Sequence, residues 1–211
     1  MIICQRIVFR KVVLQICSIA SVIAGILLIL GFALHPAGED ATFGTDRRWV
    51  SAHGFLWAAF TIALLGWIGV YDVQASSTGR LGAAGFVIII AGTSFASWIF
   101  SSDVTYVPVI ASQSPGLIRQ IFNQSHVVIG VLSVLTWVLG DVLFGFSVIQ
   151  AKVFPKLAGV LLVVGSLVIP VSYMTGLPEK VVAIGGLLVG ASQVWLGYDV
   201  LHILRKVIPS T

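Results

Sequence analysis

Long runs of apolar residues, separated by short polar segments, dominate the chain. Six runs come close to the roughly 20 residues that an α-helix needs to cross about 30 Å of hydrocarbon. They cover about residues 12–34, 53–71, 81–100, 127–150, 157–176 and 181–201. The pattern predicts an all-α polytopic membrane protein with six transmembrane helices, forming a single transmembrane domain over residues 1–211.

The composition supports this prediction and excludes several classes of protein. Apolar residues make up 58% of the chain and charged residues only 9%, whereas a soluble domain carries about 25% charged residues. The mean hydropathy is +1.06. These values exclude a disordered chain, a nucleic-acid-binding domain and a disulfide scaffold. We therefore expect the lipid bilayer, and no nucleic acid, as the protein's surroundings.

The basic residues predict how the chain is oriented, since cytoplasmic loops are enriched in Lys and Arg. One side of the predicted bundle collects eight of them, and the other side collects four. The first group is Arg6, Arg10, Lys11, Arg80, Lys152, Lys156, Arg205 and Lys206, and the second is Arg47, Arg48, Arg119 and Lys180. We expect a multi-pass plasma-membrane protein with both termini in the cytoplasm and longer outer loops at about 35–52 and 101–125.

Two short patterns recur three times and predict an internal repeat. An Ala-Gly pair with a later glycine stands in each odd span, and a Trp four or five residues before an Asp stands in each even span. The Ala-Gly pairs end at Gly25, Gly85 and Gly159, and the acids are Asp72, Asp141 and Asp199. We predict three tandem helical hairpins over about 12–72, 81–151 and 157–206. Small residues at such spacing let neighbouring helices approach closely.

Three histidines near the outer side are candidate ligands of a cofactor. His53 and His126 open the second and fourth spans, and imidazoles on neighbouring helices can hold the iron of haem b. With His35, which ends the first span, the same pair would bind a transition-metal ion. Trp49 precedes His53 by one turn and is expected to stack on it. The nearby acidic candidates are Glu39, Asp40, Asp46 and Asp103. The alternative is that these histidines only cap helices or bind phosphate at the membrane surface.

The three repeated acids are the second candidate site. Asp72, Asp141 and Asp199 lie toward the C-terminal ends of their helices, where the helix dipole disfavours a negative charge. A charge at membrane depth is costly and marks a functional candidate. One interpretation is a cation or proton site made of converging acids. The other pairs each acid with a local base, and the expected partners are Arg80 for Asp72, Lys152 or Lys156 for Asp141, and His202 or Arg205 for Asp199.

Three functions follow from these patterns. The first is a redox or binding protein that holds haem b or a metal ion through His53 and His126. The second is a non-catalytic accessory subunit whose apolar surface is covered by partner membrane subunits. The third is a small ion- or proton-coupled transporter that uses Asp141. The sequence shows no recognisable soluble catalytic motif, and it leaves open whether the protein is an enzyme.

Overall fold

A computed structural model describes the backbone of residues 2–36, 44–114, 116–117, 120 and 127–207. Side chains are described within these ranges from residue 9 onward, without those of residues 127, 173 and 207. The described chain is helical with short connections. The helices are α1 (Ile2–Leu34), α2 (Arg47–Thr105), α3 (Val107–Gln113), α4 (Val127–Ala151), α5 (Lys156–Thr175) and α6 (Glu179–Val207).

The described residues contain five long helices instead of the six predicted, because α2 includes both the second and the third predicted spans. This helix is broken at Gly79, where φ is 57° and ψ is −151°. Such a backbone conformation is accessible to glycine and strained for residues with a Cβ atom. Residues on the two sides of Gly79 contact each other, as shown by the 2.7 Å hydrogen bond between the hydroxyls of Thr61 and Ser97. We call residues 47–78 the first arm and residues 80–105 the second arm.

The helical segments pack antiparallel to one another in a closed ring. The order is α1, first arm, second arm, α4, α5, α6 and back to α1. Glycines lie at the close approaches, which include Gly66 against Ser21, Gly145 against Gly159, Gly165 against Gly185 and Gly25 against Gly190. The packing role predicted for the small residues is confirmed, whereas the threefold repeat stays a prediction.

The outside of the ring is apolar. On α1, exposed side chains recur every three or four residues as Val12, Ile16, Ile19, Ile23, Ile26 and Leu30. Four helical stretches in the described chain are long and apolar enough to cross a membrane, and Lys156–Ser172 is a shorter apolar helix. These features are compatible with insertion into a membrane.

The interior of the ring contains aromatic side chains at its centre. Trp137 packs edge-on against Phe60, with ring centroids 5.2 Å apart. Trp67 also points into the ring. Its side chain is 1% exposed. Its ring contacts that of Phe144 in α4, with centroids 5.5 Å apart.

Candidate functional site

Four ionisable side chains meet at one end of the ring, which we call the histidine end. They come from four segments: His35 after α1, His53 near the start of the first arm, Asp103 near the end of the second arm, and Glu179 at the start of α6. The rings of His35 and His53 lie 4.9 Å apart between centroids. His53 Nε2 lies 3.7 Å from Asp103 Oδ2, and His35 Nδ1 lies 3.4 Å from Glu179 Oε1.

The orientation of His53 is fixed by Trp49, one helical turn earlier. His53 Nδ1 lies 2.8 Å from the carbonyl oxygen of Trp49. A carbonyl only accepts hydrogen bonds, so Nδ1 carries the hydrogen and donates it. The two rings also stack with centroids 3.9 Å apart, as the spacing predicts. His53 Nε2 is therefore the nitrogen left for other chemistry, and it faces Asp103, which is as deeply buried as His53 itself.

The predicted cofactor site is only partly described. His35 and His53 come together, but His126 lies outside the described residues, as do Glu39 and Asp40. Among the described side chains, no group of three His, Cys, Asp or Glu residues is placed to hold a metal ion. The carboxylate of Asp103 occupies the space in front of His53 Nε2. Haem b and a transition metal therefore stay predictions.

Asp141 is buried at the centre of the ring. Its side chain has no exposed surface, and neither of its oxygens has a hydrogen-bond partner among the described residues. The expected pairing with Lys152 or Lys156 is therefore wrong. Because Trp137 precedes it by one turn, Asp141 shares the interior face of α4.

Further buried polar groups inside the ring also have no partner in the described part of the chain. They are Ser18 Oγ, Trp67 Nε1, Gln74 Oε1 and Nε2, Thr93 Oγ1 and Gln193 Oε1. Trp67, Thr93, Trp137 and Gln193 line one space inside the ring that is too narrow to hold a water molecule. We call it the central space. Buried polar atoms without partners are uncommon and costly, and the central space reaches Asp141 only through Trp137, which lines it one helical turn before Asp141.

The other two repeated acids have different surroundings. Asp72 accepts hydrogen bonds from Arg10 of α1 and is partly exposed, so the expected pairing with Arg80 is wrong. We call this the arginine end of the ring. Asp199 is half-buried, and its Oδ2 has no partner among the residues described. The ring of His202 lies parallel to that of Tyr198, with centroids 6.4 Å apart. Only Asp141 is fully buried, so the structure does not support a site of three equivalent acids.

Sequence reasoning missed several of these residues. Arg10 and Asp72 are 62 positions apart, and Glu179 is far from His35 in the chain, so spacing carries no signal of either contact. Gln74, Thr93 and Gln193 did carry a signal, because uncharged polar residues are rare inside apolar helices of this kind.

Comparison with known proteins does not assign a function. No protein family, no curated protein and no solved structure matches the chain. The chemistry of the site is therefore the guide to its function. A fully buried carboxylate can bind a proton or a cation, and a buried imidazole beside a carboxylate can exchange protons.

Proposed function

We propose that this is a polytopic membrane protein that carries protons across the bilayer, with Asp141 as the central proton-binding group. The observation that carries the proposal is the complete burial of Asp141 without a partner for either oxygen in the described chain. An ionisable group placed so deep in a membrane is a functional candidate by default, because its charge costs several kcal/mol there.

The tightness of the central space favours a proton over other cations. A metal ion needs several ligands around it, and an organic substrate needs a cavity of hundreds of Å³. The gaps beside Trp67 and Thr93 do not admit even one water molecule. A proton adds no volume, and it can sit on a carboxylate oxygen with no change in the packing.

The arrangement of the polar groups supplies steps for such a path. Thr93 precedes Asp103 by ten residues in the second arm, which is about 15 Å along a helix. Gln74 follows Trp67 by seven residues in the first arm, which is about 10 Å toward the arginine end. Buried hydrogen-bonding groups therefore stand at several depths between the two ends of the ring. Rotation of these side chains would bring their hydrogen-bonding groups closer together.

In this proposal the chain crosses the membrane six times, as three tandem hairpins. Each arm of α2 is long enough: 32 residues for the first arm (47–78) and 26 for the second (80–105) correspond to about 48 Å and about 39 Å. The excess of basic residues on one side supports an orientation in which both termini and the arginine end lie in the cytoplasm of a plasma-membrane protein. The histidine end then faces outward.

The test is proton uptake by liposomes that contain the purified protein and a pH-sensitive dye. A potassium gradient with valinomycin makes the interior negative and pulls protons inward. We expect uptake well above that of protein-free liposomes. Asp141→Asn should reduce uptake to the protein-free level, and Asp141→Glu should retain part of it.

The matched control is Asp72→Asn, which removes a partly exposed carboxylate at the arginine end and should leave uptake unchanged. Size-exclusion chromatography of each variant shows whether it is folded. Equal uptake by wild type and Asp141→Asn would contradict the proposal, and so would wild-type uptake no faster than that of empty liposomes.

A second candidate function is the binding of haem b or a metal ion through His53. The hydrogen bond from Nδ1 to the carbonyl of Trp49 is the kind of contact that orients a ligating imidazole and leaves Nε2 for the metal. An absorption spectrum of the purified protein, oxidised and reduced, together with metal analysis, decides this. Blank results would remove the cofactor and leave the histidine for proton chemistry.

A further inference from the structure

The buried pair of His53 and Asp103 connects the surface at the histidine end with the interior of the ring. His53 is 6% exposed and Asp103 is 4% exposed. The side chains of His35 and Glu179 are more open, at 20% and 23%. Four ionisable groups from four helical segments therefore lead from the partly exposed surface to the buried pair, each next to the one before.

We propose that the His53–Asp103 pair is the site where protons enter and leave the path at the histidine end. This inference rests on the proposed function. It assigns a role in proton transfer to His53 and Asp103, in addition to the role of Asp141. Imidazole is a side chain suited to this role, because a ring nitrogen can accept a proton and release it again.

The geometry restricts where the exchange takes place. His53 Nδ1 keeps its hydrogen because it donates to the carbonyl of Trp49. Nε2 is the exchangeable position, and it lies 3.7 Å from Asp103 Oδ2, slightly beyond hydrogen-bond distance. A small movement or one bridging water completes the contact. The proton arrives on Nε2 and forms an N–H bond; that bond then breaks as the proton passes to the Asp103 carboxylate.

Among the described residues, His35 and Glu179 are the titratable groups recorded next to this pair. His35 contacts the ring of His53 from the α1 side, Glu179 of α6 contacts His35, and Asp103 faces Nε2 from the second arm. Phe100 covers part of the imidazole at 5.5 Å.

The liposome assay tests this inference with variants at the histidine end. We expect His53→Gln and Asp103→Asn each to slow proton uptake by about tenfold or more, the usual range for removing a proton-transfer group. His202→Gln is the matched control, since it removes an exposed histidine near the other end of α6 and should not change uptake. The uptake rate is also recorded against pH, and we expect the profile of His53→Gln to differ from that of wild type.

The outcomes separate this inference from the proposed function. If Asp141→Asn stops uptake but both variants at the histidine end retain the wild-type rate and pH profile, the entry site is wrong and the central acid stands. If wild type takes up no protons, both proposals fail. If His53→Gln does not fold, Asp103→Asn is compared with Asp103→Glu. Only Asp103→Glu keeps a carboxylate, so only this variant should retain proton transfer at the histidine end.

Discussion

Arg10 and Asp72 form an ion pair that joins α1 to the first arm of α2. Arg10 Nη2 lies 2.7 Å and Nε 3.2 Å from the same oxygen of Asp72. Both side chains are partly exposed, 66% and 38%. The pair therefore marks the arginine end of the ring, close to the break at Gly79, and its surroundings differ completely from those of Asp141.

Removing this ion pair should cost little. Exposed pairs contribute about 0–1 kcal/mol, because solvent screens them and long side chains lose entropy. We expect Arg10→Ala to lower the free energy of unfolding by no more than that, measured by thermal unfolding in detergent. Arg80→Ala is the control, since Arg80 was the expected partner of Asp72. A loss above about 2 kcal/mol would show that the pair is more important than its exposure indicates.

Gly79 should tolerate substitution poorly. A Cβ atom added there would have no neighbouring atom within 4 Å, so a steric clash is not the reason. The reason is the positive φ of the backbone. We expect Gly79→Ala to destabilise the protein by about 1–3 kcal/mol through backbone strain alone. Gly130→Ala is the matched control, since Gly130 also has open space around it but lies inside α4. That change should be neutral or stabilising; equal stabilities of the two variants would contradict the turn at Gly79.

Asp141 should be dispensable for stability although it is buried. Because its oxygens have no partners among the described residues, Asp141→Asn removes no ion pair. We expect the free energy of unfolding to stay the same or to rise by about 1–3 kcal/mol. Asp103→Asn should instead destabilise the fold, since it removes the carboxylate that faces His53. A large loss of stability in Asp141→Asn would indicate a structural role.

The proposed six crossings make a direct prediction about chemical accessibility. Ser77 lies next to the break in α2 and Ser112 lies on α3, and both are exposed. In a background with Cys4 and Cys17 replaced by serine, Ser112→Cys should react with a membrane-impermeant thiol reagent in intact cells. Ser77→Cys should react only after the membrane is opened. Labelling of both from the same side would contradict the second and third crossings.

The sequence predicted the helices well because apolar runs of this length have few other stable structures in lipid. It did not predict that the second and third runs join, since a single glycine in an unusual conformation replaces a loop. The order of the predicted spans puts His35, His53 and Asp103 at the same end of the bundle. The contacts among these three residues confirm that prediction. It gave Asp72 and Asp141 the wrong partners, because local spacing cannot show which helices become neighbours in the ring.

The most direct test of the central claim is the infrared spectrum of the protein in liposomes, recorded in water and then in heavy water. A carboxyl group that carries a proton has a separate C=O band, and this band shifts when the proton is replaced by deuterium. We predict such a band in wild type, its loss in Asp141→Asn, and a shift in heavy water that shows exchange with solvent. A spectrum in which wild type and Asp141→Asn are the same in this region would contradict the account.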